Sequence, residues 1–416
     1  MARRLAPRFG TKRRNGLVSI VAQGTLTAGG FALQVLAARS LGVAGLGQFG
    51  LLYGSLVLAT GLTSGFVGDS MIVLDRHEPA IRAALQNWLL LFSALCAVAC
   101  FLVPWATGFV GLRTALAFGG ATFVFLIEDA VRKLLIATMM FGRVVAIDIT
   151  SLVVMVVFVL LAPTVTLASL FLALMVGQLS AIAVGICLLP VGERWLARPL
   201  PARHRAVAAY GLWRSLQQAV PPALLAVTRV IVIGTLGLAA AGELEAARIY
   251  TSPALLVVHG LGWFLFANYA VSKAPMPTAV RSADKEALTL TLLTAVLGIC
   301  AVVALPLAGP LITGHEISAL TVVGWLVYTV SVAAAVPYAL LAAVRGMQVA
   351  SLVTHIASSM LSLALVAASV HVFRSVGWVP FGLAIGALAV AASIRQYMLS
   401  SKRRSDQRAR TEVAPS

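Results

Sequence analysis

Four basic side chains lie in stretches of sequence that offer a charge no water. Arg132 and Lys133 close the motif 128-EDAVRK-133, and Arg214 and Arg229 lie further along, all within apolar runs long enough to be membrane spans. A charge at that depth costs about 3 kcal/mol on insertion scales, so it faces a partner, a water-filled cavity or a ligand. Glu128–Arg132 and Asp129–Lys133 are spaced i,i+4 with the acid first, the favourable order on a helix. They therefore read either as two self-neutralising pairs beside a water-filled vestibule, or as a cationic site for an anionic substrate that a carboxylate tunes. Arg214 lies one turn into its run and can snorkel or line a cavity. Arg229 follows the Pro221-Pro222 pair. Proline removes helix donors, so this pair is a candidate hinge, with Arg229 on a polar cavity about 10 Å deep.

Arg39, Asp69, Asp148 and Arg248 fall at the ends of apolar runs. Each reads as an interfacial anchor, and Asp69 and Asp148 also as acid partners for the buried bases. His259 and His355 lie inside runs and are expected to hydrogen-bond a neighbouring helix. The four cysteines sit in apolar runs with no His or carboxylate beside them, which points to packing and to no metal. His77-Glu78 and His315-Glu316 lack the second His of a zinc-protease motif, and no phosphate-binding loop is present. No catalytic residue and no cofactor is expected. Coupling by a proton, a sodium ion or the membrane potential stays open.

The elements that must hold these groups follow from composition. Of 416 residues 60% are apolar and 11% charged, with a mean hydropathy of +0.97. Soluble domains carry roughly 25% charged residues, which excludes a soluble enzyme, a disordered chain and a disulfide-stapled secreted domain. Twelve helical spans are predicted near 16–38, 46–68, 84–107, 114–141, 147–162, 165–190, 211–236, 250–271, 287–312, 318–343, 349–372 and 377–398. The runs do not alternate as barrel strands would. The fourth span is long, about 42 Å from Thr114 to Phe141, which puts 128–133 in the inner half of the membrane.

The net charge of +17 raises nucleic acid as a partner, but its distribution answers otherwise. With the N-terminus inside, 23 of the 31 Lys and Arg fall in cytoplasmic segments, four in outer connections and four in spans. That asymmetry predicts an N-in, C-in protein of the cell inner membrane whose basic side meets anionic inner-leaflet lipid, with no nucleic-acid role. The basic N-terminus precedes a run too long for a signal peptide, so the first span is expected to stay uncleaved.

The chain also repeats itself. Residues 16–44 laid on 211–239 give eight identities in 29, among them Leu41-Gly42 on Leu236-Gly237. A second echo sets LLIATMMFGR (134–143) against LLAAVRGM (340–347). An offset of six spans preserves orientation, which predicts parallel repeats about an axis along the membrane normal. The organisation expected is a basic N-terminus (1–15), a six-helix bundle (16–190), a cytoplasmic linker (191–206), a second six-helix bundle (207–398) and a basic tail (399–416).

The stretch 38-ARSLGVAGLGQFG-50 resembles polysaccharide (O-antigen-type) flippases of the multidrug/oligosaccharidyl-lipid/polysaccharide (MOP) exporter superfamily, in which an Arg, a Leu-Gly and a Phe-Gly follow the first helix. Here these are Arg39, Leu41-Gly42 and Phe49-Gly50. The end of the fourth span, Ala137 to Gly142-Arg143 with Asp148 beyond, is similar to the same family. The resemblance implies an all-α, MATE-like membrane fold of two pseudo-symmetric six-helix bundles with alternating access. It also implies a cationic central cavity for a polyprenyl-diphosphate-linked oligosaccharide. Arg229, Arg132, Lys133 and Arg214 are the cavity's candidates, joined by Arg39 and Arg248, with Glu128, Asp129, Asp69 and Asp148 as coupling or charge partners. Polysaccharide polymerases or glycosyltransferases are the protein partners it allows. The alternatives are a MATE-like drug exporter, a non-catalytic scaffold of polysaccharide assembly and an integral glycosyltransferase. The last needs a large outer loop with acids, and the longest outer connection expected, 237–249, offers only Glu243 and Glu245.

Overall fold

The computed structural model describes residues 9–193, 202–272 and 274–412, with backbone only for 9–23, 26, 263, 264, 267, 270, 271 and 401–412. Residues 1–8, 194–201, 273 and 413–416 lie outside it, so the predicted N-terminus, linker and tail are described only in part.

Long helices succeed one another: α1 (Phe9–Ser40), α2 (Gly42–Val73), α3 (Pro79–Ala106), α4 (Leu112–Ala137), α5 (Phe141–Leu161), α6 (Leu167–Leu188), α7 (His204–Leu236), α8 (Leu238–Val271), α9 (Met276–Thr313), α10 (Ala319–Val344), α11 (Gln348–Phe373) and α12 (Val379–Glu412). Predicted spans fall on these helices one to one, but the fourth overruns: its helix ends at Ala137, a turn occupies 138–140, and Phe141, its expected end, opens α5. The described residues form no strand. Ten are long and apolar enough to cross a membrane; the other two, α1 and α8, cover the predicted spans 16–38 and 250–271. Their outward faces are apolar. Along α9, Leu288, Leu292, Val296, Ile299, Val303, Leu307 and Leu311 form an exposed stripe at helical spacing. Only a hydrocarbon solvent makes such a surface tolerable, so this is a multi-pass membrane protein.

The outer connection expected at 237–249 is helical: α8 begins at Leu238, and Gly237 alone separates it from α7. Gly237 has φ +87°, open to glycine and strained for other residues, which lets the chain reverse in one step. Its repeat mate, Gly42, does the same between α1 and α2 at φ +67°. The second echo is also a shared turn. At the end of α4, Thr138 N donates to Leu134 O and Met140 N to Leu135 O; at the end of α10, Arg345 N donates to Leu341 O and Met347 N to Ala342 O. Both are Schellman-type closures. The left-handed residue is Gly346 in one (φ +73°) and Met139 in the other (φ +59°). A side chain in that region costs about 1–2 kcal/mol. Met139→Gly is therefore expected to stabilise the protein by up to about 1 kcal/mol, read as a higher melting temperature in detergent; no change or a drop contradicts this.

Helix pairing carries the repeat further. The contacts α3–α4, α4–α6 and α5–α6 recur six helices later as α9–α10, α10–α12 and α11–α12. Two compact units result. The first comprises Met1–Gly42 and Phe49–Ala226, the second Val43–Gln48 and Val227–Ser416, so the division falls inside α7 and leaves the start of α2 in the second unit. Glycines explain both assignments. In the first unit a Cβ on Gly61 would lie 2.9 Å from the Gln218 carbonyl oxygen, and one on Gly65 2.6 Å from Ser215 Cα, so the later part of α2 lies directly on the early part of α7. In the second unit Gly47 sits against Leu238 O and Gly242 against Val43 O.

Each unit has its own core. In the first, the Phe171 ring lies between Phe49 and Phe118 (centroids 5.9 and 4.9 Å), and Phe66, Met71, Leu85, Leu89 and Val207 pack together. In the second, Val258, Leu265, Leu290, Leu341, Ile394 and Met398 do so, and Gly382 and Gly386 bring α12 onto α11 at Val366 and Ser362.

Candidate functional site

Asp69 is the hub of the first unit. Just before it, Ser64–Gly68 form one turn of π-helix within α2, buried throughout. Such a turn inserts a residue and re-aims the side chains beyond it, and π-turns are frequent at functional sites. Asp69 Oδ2 accepts from Arg214 Nε (2.9 Å) and Nη2 (2.6 Å) and from Gln218 Nε2 (2.8 Å). Asp69 Oδ1 lies 3.8 Å from Lys133 Nζ. The lysine stem runs along Gly68, where a Cβ would be 3.2 Å from Lys133 Cγ. Arg214 also donates from Nη1 to Gln217 Oε1 at 3.0 Å. Helices α2, α4 and α7 thus bring two cations to one carboxylate. The cluster is partly accessible, with side-chain exposure of 14% for Asp69, 20% for Lys133 and 31% for Arg214.

At the adjacent residue on α4 the arrangement is closed. Arg132 Nε is 3.3 Å from Asp148 Oδ1 on α5, and Thr25 of α1 donates to Asp148 Oδ2 at 3.0 Å. Glu128 is buried on the same face of α4, and among the described residues it makes no hydrogen bond or ion pair. The expected i,i+4 pairs are therefore replaced. Arg132 reaches to α5 and Lys133 to α2, because a long basic side chain can meet an acid on a packed neighbour as readily as one a turn away. Asp129, half-buried, joins no ion pair among the described residues.

The second unit has its own doubled cation. Arg229 donates from Nε and Nη2 to Glu245 Oε2, both at 3.1 Å, and Arg248 donates from Nε to Glu245 Oε1 at 2.9 Å and again from Nη2. Glu245 is 2% exposed and Arg229 7%. Next to it, Trp325 Nε1 donates to Leu244 O at 3.0 Å, tying this turn of α8 to α10. Glu245 is the residue that sequence reading misses. Its polar surroundings read as a loop, and its only signal is a carboxylate three residues before Arg248.

Other expected residues stay apart. Arg39 is exposed in the last turn of α1 and joins no ion pair among the described residues. α7 runs unbroken through Pro221 and Pro222, which supply no N–H to the carbonyls of Gln217 and Gln218; Gly61 packs on the second of these. His259 is exposed on α8 and His355 half-buried on α11, and the hydrogen bonds expected of them to neighbouring helices are not formed among the described residues. A further polar cluster joins Asp284 and Arg395, assigned to cytoplasmic segments, to Tyr338 of the tenth predicted span. Asp284 on α9 accepts from Tyr338 (2.7 Å) and from Arg395 Nε and Nη2 (2.8 and 3.0 Å), which links α9, α10 and α12.

No family model matches the sequence, and no curated protein matches it significantly. Solved structures do. An inward-facing multidrug resistance MATE family transporter of the MOP superfamily superposes with a TM-score of 0.71 at 15% identity, covering 96% of this chain and 100% of that one. An outward-facing conformation of such a transporter gives 0.62 at 15% identity and 96% of both chains. A MOP superfamily transporter from Pyrococcus furiosus, described as having a binding pocket of reverse polarity, gives 0.63 at 15% identity over 93% of this chain and 94% of that one. The chain has the fold of the MATE-type transporters of the MOP superfamily.

Proposed function

We propose that the protein is a transporter that flips a polyprenyl-diphosphate-linked oligosaccharide from the cytoplasmic to the outer leaflet of the inner membrane by alternating access. One observation carries this reading: in each compact unit a carboxylate within the long helices is shared by two cations, Asp69 by Arg214 and Lys133, Glu245 by Arg229 and Arg248. The Asp69 cluster holds a surplus positive charge where charge is costly, and an anionic substrate would balance it. A diphosphate suits the Asp69 cluster best, since its oxygens can replace Asp69 on the fork of Arg214 and on Lys133. The Glu245 cluster, more deeply buried, holds its guanidiniums in place. The 23-to-4 distribution of basic residues supports the N-in orientation and contact with anionic inner-leaflet lipid. The coupling ion, if one is used, would act through the carboxylates of the first unit.

A second reading, export of small organic cations, draws on Glu128, a buried carboxylate without an ion pair among the described residues, and on the multidrug transporters that share the fold. The two readings part in one assay. Vesicles holding the purified protein are scored for movement of a labelled polyprenyl-diphosphate oligosaccharide and for movement of a cationic dye.

A further inference from the structure

Helix α7 shows three different faces between residues 210 and 222. Gly211, Ser215, Ala219 and Pro222 share one, and there α2 lies close, with Gly65 on Ser215 and Phe66 on Gly211. Leu212, Trp213 and Leu216 form a second, exposed at 54%, 51% and 42%. Tyr210, Arg214, Gln217 and Gln218 make up the third, at i, i+4, i+7 and i+8, and all four are half-buried. A polar stripe inside a membrane helix that is neither packed shut nor turned to lipid faces something polar.

Its middle and its ends differ in chemistry. Arg214, with Lys133 beside it on Asp69, is cationic, whereas Gln217, Gln218 and Tyr210 offer neutral donors and acceptors around it. Gln217 Oε1 accepts from Arg214 and Gln218 Nε2 donates to Asp69, so the two amides are held in place by the charged cluster. We infer that this face is a sugar subsite: the amides of Gln217 and Gln218 and the Tyr210 hydroxyl receive the hydroxyls of the first sugar, while Arg214 and Lys133 hold the diphosphate to which it is joined. The amides lie within one helical turn of Arg214, about 5 Å along the axis, which matches a sugar attached directly to a diphosphate. Amides and a phenol on either side of a guanidinium offer a hydroxylated ring hydrogen bonds that an alkyl chain cannot make. The inference rests on the flippase reading and assigns the part of the substrate that lies on α7.

Binding to the purified full-length protein tests it, followed by intrinsic tryptophan fluorescence. The probes are undecaprenyl diphosphate alone and the same lipid carrying glucose or N-acetylglucosamine. The wild type is expected to bind at least one glycosylated lipid at least tenfold more tightly than the bare diphosphate. Gln217→Leu reduces that preference, taken as the ratio of the two affinities within the same variant, to about twofold or less, and Tyr210→Phe, which keeps the ring, gives a partial loss. Wild-type protein that binds all three lipids equally, or variants that retain the full preference, overturn the subsite and leave the diphosphate reading intact. Failure of the wild type to bind any of the lipids overturns both.

Discussion

Arg214→Ala is expected to lower affinity for bare undecaprenyl diphosphate by about 30-fold or more, and Asp69→Asn to raise it. Both signs come from one geometry. Asp69 occupies the donors that a phosphate would use: the Nε and Nη2 of Arg214 at 2.9 and 2.6 Å, and Lys133 Nζ at 3.8 Å. In the proposed site a diphosphate would take the place of the carboxylate. Truncating a hydrogen-bonded charge at such a contact costs about 2–5 kcal/mol, or roughly 30- to 5,000-fold. Neutralising Asp69 removes the competitor, and asparagine keeps an oxygen to hold Arg214. Lys133→Ala gives a smaller loss than Arg214→Ala, because its ammonium is further away and makes no fork. The measurement is equilibrium binding by the purified variants. Asp69→Asn with weaker binding contradicts the exchange, since it would mean that the carboxylate serves only to position the cations.

The second large effect concerns stability. Glu245→Gln leaves the buried Arg229 and the adjoining Arg248 sharing a neutral amide. Removing one side of a buried ion pair strands the other and costs about 3–5 kcal/mol. Arg229→Met is expected to be milder, because Glu245 keeps Arg248 and the methionine fills much of the same space. Loss of an exposed pair is expected to be small: Arg395→Ala, whose side chain is 46% exposed against Asp284, falls within about 1 kcal/mol. Thermal inactivation of detergent-solubilised protein, followed by the loss of its monodisperse elution peak, ranks the three. Equal melting of Glu245→Gln and Arg229→Met contradicts the reading of Glu245 as the shared counter-charge.

Much of the scaffold is legible in the sequence because lipid leaves the backbone few choices. Apolar runs of about 20 residues must be helices, and the spans are placed one to a helix, although no break in the apolar run marks the turn at 138–140 that ends α4 before Phe141. The repeat is legible where it fixes backbone conformation, at Gly42 and Gly237, and obscured where one copy uses Met139 and the other Gly346. Polarity misleads where it suggests a loop. Glu243, Glu245 and Arg248 look like an outer connection, yet they lie on a helix whose carboxylate is neutralised by α7, a partner with no local signature. The site shows the same division. Arg132, Lys133, Arg214 and Arg229 are conspicuous by depth alone. Their partners Asp148, Asp69 and Glu245 are set by helix packing, so the i,i+4 pairs that local rules favour give way to pairs across helices. Gln218 and Thr25 carry no charge to mark them, and only the folded chain shows them on Asp69 and Asp148.

Transbilayer movement of substrate is the most direct test. Purified protein in phospholipid vesicles is supplied with a fluorescent undecaprenyl-diphosphate oligosaccharide, whose exposure on the far leaflet is followed by a membrane-impermeant quencher. Protein-dependent flipping is expected, abolished by Arg214→Ala, with no movement of a cationic dye such as ethidium in the same vesicles. Transport of the dye while the glycolipid stays in its leaflet would contradict the flippase reading and make Glu128 the residue to pursue.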